Sequence, residues 1–375
     1  MRVGMLIGGL GRGGAEGQLI RLAKGLVARG HEVEVLTYAA RSPVDRKLEG
    51  TGVVHHRHEV SGFRSKLTLT ESWLRDTSLD VVHGFMHRAS ALASLAGRAS
   101  PDTVVVGSDG STATHHRTSR TLWPALVALA RADCIVTQTR RNEKSLRMLA
   151  PWLRGKTAVI RNGLDCTTVT TPDHSPPSTP FTFCAVGTVS RIKNPVRLVH
   201  AVFELRKMTD RPFRVVWHGR YSFAGDHART TASQLAERER ERLGVEDNIE
   251  FPGENDRIEH AYHEAHALVH PSIQEGFPNV VVEAMSAGLP IVVSRVSDLP
   301  LVVETARNGF VFNERKPGEI ARAMKRMMDL CDADRKAMGE RSRSLAEHWF
   351  GHDRFVDEFI ALYQRLIEKK RRHVG

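Results

Sequence analysis

The sequence predicts an α/β protein made of two Rossmann-like domains facing across a cleft, and three observations carry that prediction. Short β-branched strand cores alternate with helical segments almost throughout the 375 residues, the pattern of parallel sheets covered on both faces. A proline-rich stretch, 167–180, interrupts the alternation near mid-chain, with Val169 as its one aliphatic residue. The alternation then restarts over a second stretch of similar length. Against a prior of ~150 residues per domain, the length also fits two.

In the first half, residues 3–7 form an apolar strand followed by a Gly-rich turn. Leu19, Ile20, Leu22, Ala23, Leu26 and Val27 then recur at helical spacing, and Gly30 stands where a C-cap would. Residues 33–37 are the second strand, and 53–54, 81–82, 104–106 and 135–136 supply further strand cores. Helical segments are expected over 90–98, 122–131 and 142–149. Four prolines in 167–180 remove backbone donors and restrict their neighbours, so that stretch reads as a linker.

In the second half, strands are expected at 181–186, 213–217, 249–251, 268–270 and 291–293. Helical stretches are expected at 195–207, 234–243, 258–265 and 280–286. A long amphipathic helix over 354–370 precedes a basic tail. The predicted domains are therefore 1–166, joined by the closing helix of about 354–375, and 181–353. Ligands of such sheets bind at the carboxyl ends of strands, which places the expected site among strand-end loops.

Composition narrows the function classes. Hydrophobic residues are 41% and charged residues 26%, which excludes disordered and low-complexity chains. No apolar run approaches the ~18 residues of a spanning helix, and residues 1–10 read as a first strand rather than a signal peptide. Cys134, Cys166, Cys184 and Cys331 lack CxxC spacing, so reduced buried thiols in a cytoplasmic protein are expected. Net charge is +11 and is uneven: residues 1–175 hold 24 Lys and Arg against 15 Asp and Glu, whereas 176–375 hold 30 against 28. A basic first half attracts anionic partners: nucleic acid, lipid headgroups or a phosphorylated substrate.

Two phosphate-facing features stand out. Gly9, Gly11 and Gly14 spell GxGxxG between strand and helix, where backbone can approach a phosphate at a helix N-terminus. The second strand ends in Thr37-Tyr38 without the acid that would hold a ribose hydroxyl. Arg41 keeps an NADP reading open, beside another phosphate cradle and a turn with no ligand. The second feature is His270-Pro271-Ser272-Ile273-Gln274-Glu275-Gly276-Phe277-Pro278-Asn279-Val280, continuing to Glu283. Two carboxylates eight apart bracket a turn that opens a helix. Pro278 suits its first turn, and the amides of Asn279 and Val280 face an anion there. Carboxylates suit the vicinal hydroxyls of a sugar or ribose; the competing reading is a dipole partner and a surface glutamate.

The string EGFPNVVVEAMSAGLPIVVS resembles the signature of glycosyltransferase family 4, retaining enzymes of the GT-B fold that use nucleotide-activated sugars. Other matches follow in order: Gly13-Gly14-Ala15-Glu16, Val159-Ile160-Arg161-Asn162-Gly163-Leu164-Asp165, Val186-Gly187 leading to Lys193-Asn194, His218-Gly219, Phe251-Pro252-Gly253, and a closing Leu362-Tyr363. The resemblance implies a cytoplasmic glycosyltransferase without metal or other cofactor, acting in polysaccharide, glycolipid or related glycoconjugate synthesis. Glu283 would hold the ribose and Glu275 the donor sugar. Gly13, Gly14, Gly187, Thr188, Gly276, Phe277, Pro278, Asn279 and Val280 would line the donor, and Lys193 would stabilise the leaving nucleotide.

Two departures from the family matter. Thr188 stands where the family carries Arg, with Arg191 as the candidate to supply the guanidinium. Asp109 stands near the place of a family His, with His115 the other acceptor-side candidate. The expected partners are a nucleotide sugar, an acidic or lipid-linked acceptor on the first domain, and an anionic membrane face, with no nucleic acid. The membrane attraction would come from His55-His56-Arg57-His58, Arg64, Lys66, Arg117, Arg120, Arg140, Arg141, Lys144 and Arg147. The alternatives are a nucleotide-sugar epimerase of the same fold, an NADP-dependent oxidoreductase, and a weakly active sugar- or nucleotide-binding protein. Asp332-Ala333-Asp334 reads as helix capping rather than a metal motif, and His266 with His270 as packing rather than a ligand pair.

Overall fold

Valine- and isoleucine-rich runs too short for helices become the strands of two parallel sheets in the computed structural model, which describes residues 1–11, 13–109, 123–164, 179–221 and 231–374. The chain divides into Met1–Leu164 with Gly351–Gly375, and Asp165–Phe350.

The first unit holds β1 (Arg2–Ile7), β2 (Glu32–Thr37), β3 (Val54–Arg57), β4 (Val81–Phe85), β5 (Val104–Asp109), β6 (Cys134–Thr137) and β7 (Thr157–Val159). They pair in the order β3-β2-β1-β4-β5-β6-β7, all parallel. Val3 sits opposite both Val33 and Val81, so β1 is buried on both sides. The chain moves outward from β1 to β3, then returns to place β4 on the other flank of β1. That reversal makes the loops after β1 and β4 diverge, leaving a crevice at the carboxyl ends of the strands.

The final helix, His352–Val374, belongs to this unit, as the predicted fold class requires. Its Phe355, Val356, Phe359, Leu362 and Tyr363 are buried with Met5, Leu22 and Val33 in one core. The approach is close: a Cβ on Gly25 would stand 2.3 Å from Val356 Cγ2. Gln18 ties the helix Gly14–Ala28 to the segment before the second unit, donating to Gly163 O (3.0 Å) and accepting from Gly163 N (2.8 Å).

The second unit holds β8 (Phe181–Val186), β9 (Phe213–His218), β10 (Ile249–Gly253), β11 (Ala267–His270), β12 (Ile291–Ser294) and β13 (Gly309–Phe312), ordered β10-β9-β8-β11-β12-β13 and parallel. Its core is Phe181, Phe183, Leu198, Trp217, Met324 and Met327 with their neighbours. Here the reversal falls between β8 and β11.

Several expectations are adjusted. The helix expected over 122–131 is Trp123–Ala128 followed by a 3-10 turn, Leu129–Arg131. The strand core placed at 53–54 is the edge strand Val54–Arg57, because two histidines and an arginine disguise it. Cys134 and Cys184 are buried but Cys331 is exposed, so not every thiol is hidden. Asp332 and Asp334 lie in the first turn of the helix Asp332–Phe350, where carboxylates oppose the helix dipole. No described helix is long and apolar enough to cross a membrane. Cys166 and most of the linker, 167–178, lie outside the described residues.

Candidate functional site

The reversal between β8 and β11 gathers the second unit's chemistry. After β8 the chain turns at Gly187, whose φ of 135° suits glycine. Gly187 N donates to His218 O (2.9 Å) and its carbonyl accepts from Trp217 Nε1 (2.7 Å). A Cβ on Gly219 would lie 2.1 Å from that same carbonyl oxygen, so the two strand-end loops touch backbone to backbone. The 3-10 turn Arg191–Lys193 follows. Asn194, in the left-handed region with φ 67°, then fixes it by donating from Nδ2 to Pro271 O (3.0 Å) and Glu314 O (2.9 Å). Ile273 N donates to Ile192 O (2.8 Å), binding the loop after β11 to the loop after β8.

These ties bring Lys193 to Glu275. Lys193 Nζ lies 2.5 Å from Glu275 Oε1, with both side chains largely buried. His270, at the end of β11 and 1% exposed, places Nε2 3.1 Å from the same oxygen. Burial opposes ionisation of Glu275, but the hydrogen bond to His270 and the charge of Lys193 outweigh it and hold the carboxyl at about 2. Burial also lowers the His270 pKa, against the pull of Glu275. The ring is therefore neutral at pH 7, and since a carboxylate only accepts, Nε2 carries the proton.

Downstream, Gly276 O accepts from Ser297 Oγ, Phe277 is buried against Phe350, and Pro278 is the N-cap of the helix Asn279–Ser286. The sequence reading set Pro278 inside the first turn; it stands one position earlier. Asn279 and Val280 begin the helix, with Val281 N donating to the N-cap carbonyl Pro278 O (3.1 Å), so their amides lie at its positive end. Glu283 accepts at Oε2 from Tyr262 OH (3.1 Å). Tyr262 is buried, and burial raises its pKa well above the usual phenol range. The hydroxyl stays protonated and donates, fixing Glu283. Thr188 is partly buried. The Arg191 side chain is exposed and makes no hydrogen bond or ion pair among the described residues, while its carbonyl accepts from Asn194 N (3.2 Å).

In the first unit, Gly13 caps the helix Gly14–Ala28 at the reversal between β1 and β4. The Glu16 carboxylate folds back over this glycine: a Cβ on Gly13 would lie 2.2 Å from Glu16 Oε2. Met86, directly after β4, has φ 68°, a strained backbone for a non-glycine residue of the kind that clusters at functional sites. Asp109 ends β5 and is 2% exposed. The residue before it, Ser108, meets His83 Nε2 at 2.6 Å, while His83 Nδ1 meets Tyr363 OH at 2.6 Å. His115, Arg117 and Arg120 lie outside the described residues.

The basic residues sort into two groups. His56 meets Glu34 (2.9 Å), Arg57 pairs with Asp45 (3.2 Å) and Arg147 with Glu143 (3.0 Å), so each of these three has an acidic partner within the fold. Arg64, Arg140, Arg141 and Lys144 are exposed. Among the described residues no three metal-ligating side chains converge. His266 Nδ1 accepts from Thr182 N (3.0 Å) and its ring stacks on Phe181, a packing role. His270 is different: packing alone does not describe a ring bonded to Glu275. The sequence reads His270 as packing and does not single out Tyr262; the packed unit gives both a carboxylate partner.

The Glycosyl transferases group 1 family matches residues 169–345, and Glycosyltransferase Family 4 matches residues 12–168. The D-inositol 3-phosphate glycosyltransferase of Corynebacterium kroppenstedtii is 30% identical over 191 residues, 49% of this chain and 40% of that protein. Its counterpart from Mycolicibacterium vanbaalenii is 27% identical over 261 residues, 65% of this chain and 56% of that protein. The chain thus spans about half the length of the curated relatives it matches. Among solved structures, HepE of Anabaena in complex with UDP superposes with TM-score 0.83 at 18% identity, covering 97% of this chain and 100% of that one. Sucrose-phosphate synthase of Thermosynechococcus elongatus gives 0.80 at 18% identity, covering 98% and 99%. Both share the fold.

Proposed function

The chain belongs to the group 1, family 4 glycosyltransferases and has their GT-B fold, and from that premise we propose that it moves a sugar from a nucleoside-diphosphate sugar to a hydroxyl acceptor with retention at the anomeric carbon. The observation that carries this reading is the convergence of Lys193, Glu275 and His270 where the strand order reverses between β8 and β11. Glu283, fixed by Tyr262, takes the ribose hydroxyls. Glu275 takes the sugar, and Lys193 and the amides of Asn279 and Val280 take the diphosphate. Relatives bearing the name D-inositol 3-phosphate glycosyltransferase and the UDP bound by HepE support a nucleotide-sugar donor.

As the bond from the anomeric carbon to the diphosphate oxygen breaks, negative charge grows on the diphosphate, where fixed cations and helix-end amides act most strongly. The acceptor oxygen then bonds to the same face of the sugar, and its proton leaves with the diphosphate. Retention through an enzyme-bound sugar would need a paired nucleophile and acid; this reading uses neither. Neutralisation of the diphosphate rests on Lys193 and Arg191.

The test is thermal stability with UDP, GDP, ADP, NAD and NADP at millimolar concentration. A ligand at 100 times its Kd stabilises by ~2.7 kcal/mol. One nucleoside diphosphate is expected to raise Tm in the wild type and not in Glu283→Ala. A shift with NADP alone, or with none of the five, rejects the reading.

The acceptor is placed in the basic first unit and is acidic or lipid-linked, presented at the inner, anionic face of a membrane. Support comes from exposed apolar side chains set among exposed cations. Trp123, Val127, Met148 and Trp152 are all exposed, and Trp152 Nε1 reaches Leu126 O (3.3 Å), so its ring lies against the helix bearing Trp123 and Val127. Arg141, Lys144 and Met148 follow one another at helical spacing on Arg140–Leu149. Interfacial tryptophan flanked by basic residues, each worth ~1 kcal/mol near an anionic surface, is a membrane-contact pattern. Co-sedimentation at low salt with vesicles containing anionic lipid is expected, and should weaken in Trp123→Ala/Trp152→Ala. Equal binding to zwitterionic vesicles, or none, removes this part.

A further inference from the structure

Glu275 is anchored through one oxygen. Lys193 Nζ (2.5 Å) and His270 Nε2 (3.1 Å) both meet Oε1, and Oε2 takes no hydrogen bond among the described residues. The two anchors differ in kind. Lys193 sits on a short turn with 23% of its side chain exposed, and in the proposed reaction its charge is drawn towards the departing diphosphate. His270 sits on a strand paired with β12 in register, His270 opposite Val293, and its side chain is 2% exposed. A buried ring on a central strand is held by the sheet, whereas the side chain on the turn has room to swing.

We infer that His270 is a positioning residue for donor-sugar recognition: its Nε2–H holds Oε1 of Glu275 when Lys193 turns to the diphosphate, so that Oε2 meets the sugar hydroxyls in one orientation. This rests on the reading of Glu275 as the sugar-facing carboxylate. It assigns to His270 the part of donor affinity that depends on the sugar, and none of the part that depends on the nucleotide. A hydrogen bond to a charged group fixes direction as well as energy, and a carboxylate left with one mobile anchor loses that direction.

The experiment is titration calorimetry on the full chain with two probe pairs, UDP against UDP-glucose and GDP against GDP-mannose. The variants are His270→Leu, His270→Gln and His270→Asn. Gln places an N–H donor at about the reach of Nε2; Asn is too short to span it, and Leu has no donor. Wild type is expected to bind one sugar nucleotide more tightly than its bare diphosphate. That margin should fall about tenfold in His270→Leu and His270→Asn and largely return in His270→Gln, with affinity for the bare diphosphate held within twofold. A margin intact in His270→Asn overturns the inference even if His270→Leu fails to fold. Equal loss for sugar nucleotide and bare diphosphate also overturns it, by showing a merely structural role. Wild type that binds neither pair takes down the glycosyltransferase reading and this inference with it, an outcome distinct from the other two.

Discussion

Lys193→Ala is expected to lower kcat by about 10²–10³-fold, the largest loss from any single substitution in the second unit. Removing one preorganised donor aimed at developing charge typically costs ~2.7–4 kcal/mol of transition-state stabilisation. At ~1.36 kcal/mol per tenfold, that range converts to the stated loss. The expectation is strong here because this chain is short of cations at the diphosphate loop: Thr188 supplies none, and the Arg191 side chain is exposed with no partner among the described residues. Single-turnover rates at saturating donor are the measurement, with Arg191→Ala run beside them. A shared load gives both variants comparable losses. A Lys193→Ala enzyme turning over at the wild-type rate would remove Lys193 from the reaction and leave its bond to Glu275 as a structural ion pair.

That a cation and a carboxylate would meet at this place was only partly legible from the residues. The carboxylate pair Glu275 and Glu283, the helix start after Pro278 and the turn at Gly187 are local features, written within a few positions of one another. Their chemistry follows from spacing. The meeting of Lys193 with Glu275 joins residues 82 apart and depends on β8 and β11 lying side by side, which alternating strands and helices do not specify. Strand order is set by how helices pack on each face, information spread over the whole unit. Tyr262 shows the same limit: on a six-residue helix it reads as a core aromatic, and only the packed unit turns its hydroxyl to Glu283.

Elements were legible where burial is two-sided and the strand carries an unbroken aliphatic run, as in the three valines that open Val104–Asp109 or in Ile291–Ser294. They were obscured at sheet edges. β3 reads Val-His-His-Arg, and β7 is three partly buried residues, Thr157–Val159. An edge strand faces water along one side and so carries polar residues that erase the apolar run. The acceptor side was legible least. Asp109 ends a buried strand as the spacing suggested, but what holds that strand end, the Ser108–His83–Tyr363 chain, links residues up to 280 apart.

That chain sets the second large expectation, a loss of first-unit stability on acidification. His83 is fully buried between Ser108 Oγ and Tyr363 OH, two neutral groups, and burial alone pushes its pKa down to about 3. In the unfolded chain the same imidazole takes a proton near pH 6.5. Below that pH the unfolded state therefore binds a proton that the folded state refuses, and protons favour unfolding. The stability tied to His83 is full above about pH 6.5 and is lost as pH falls towards 3, at about 1.4 kcal/mol per unit. His31 and His55, in the same unit, are also shifted down chiefly by burial and add in the same direction. Hydrogen exchange of the β1 and β4 amides at pH 7.5, 6.5 and 5.5 reads this unit alone, above the range where most carboxylates titrate. Their opening free energy is expected to fall with pH, and the slope should flatten by nearly one proton in His83→Gln, whose amide can still meet both hydroxyls without titrating. An unchanged slope in that variant would mean that His83 is protonated in the folded protein, with the Tyr363 and Ser108 oxygens both accepting from it.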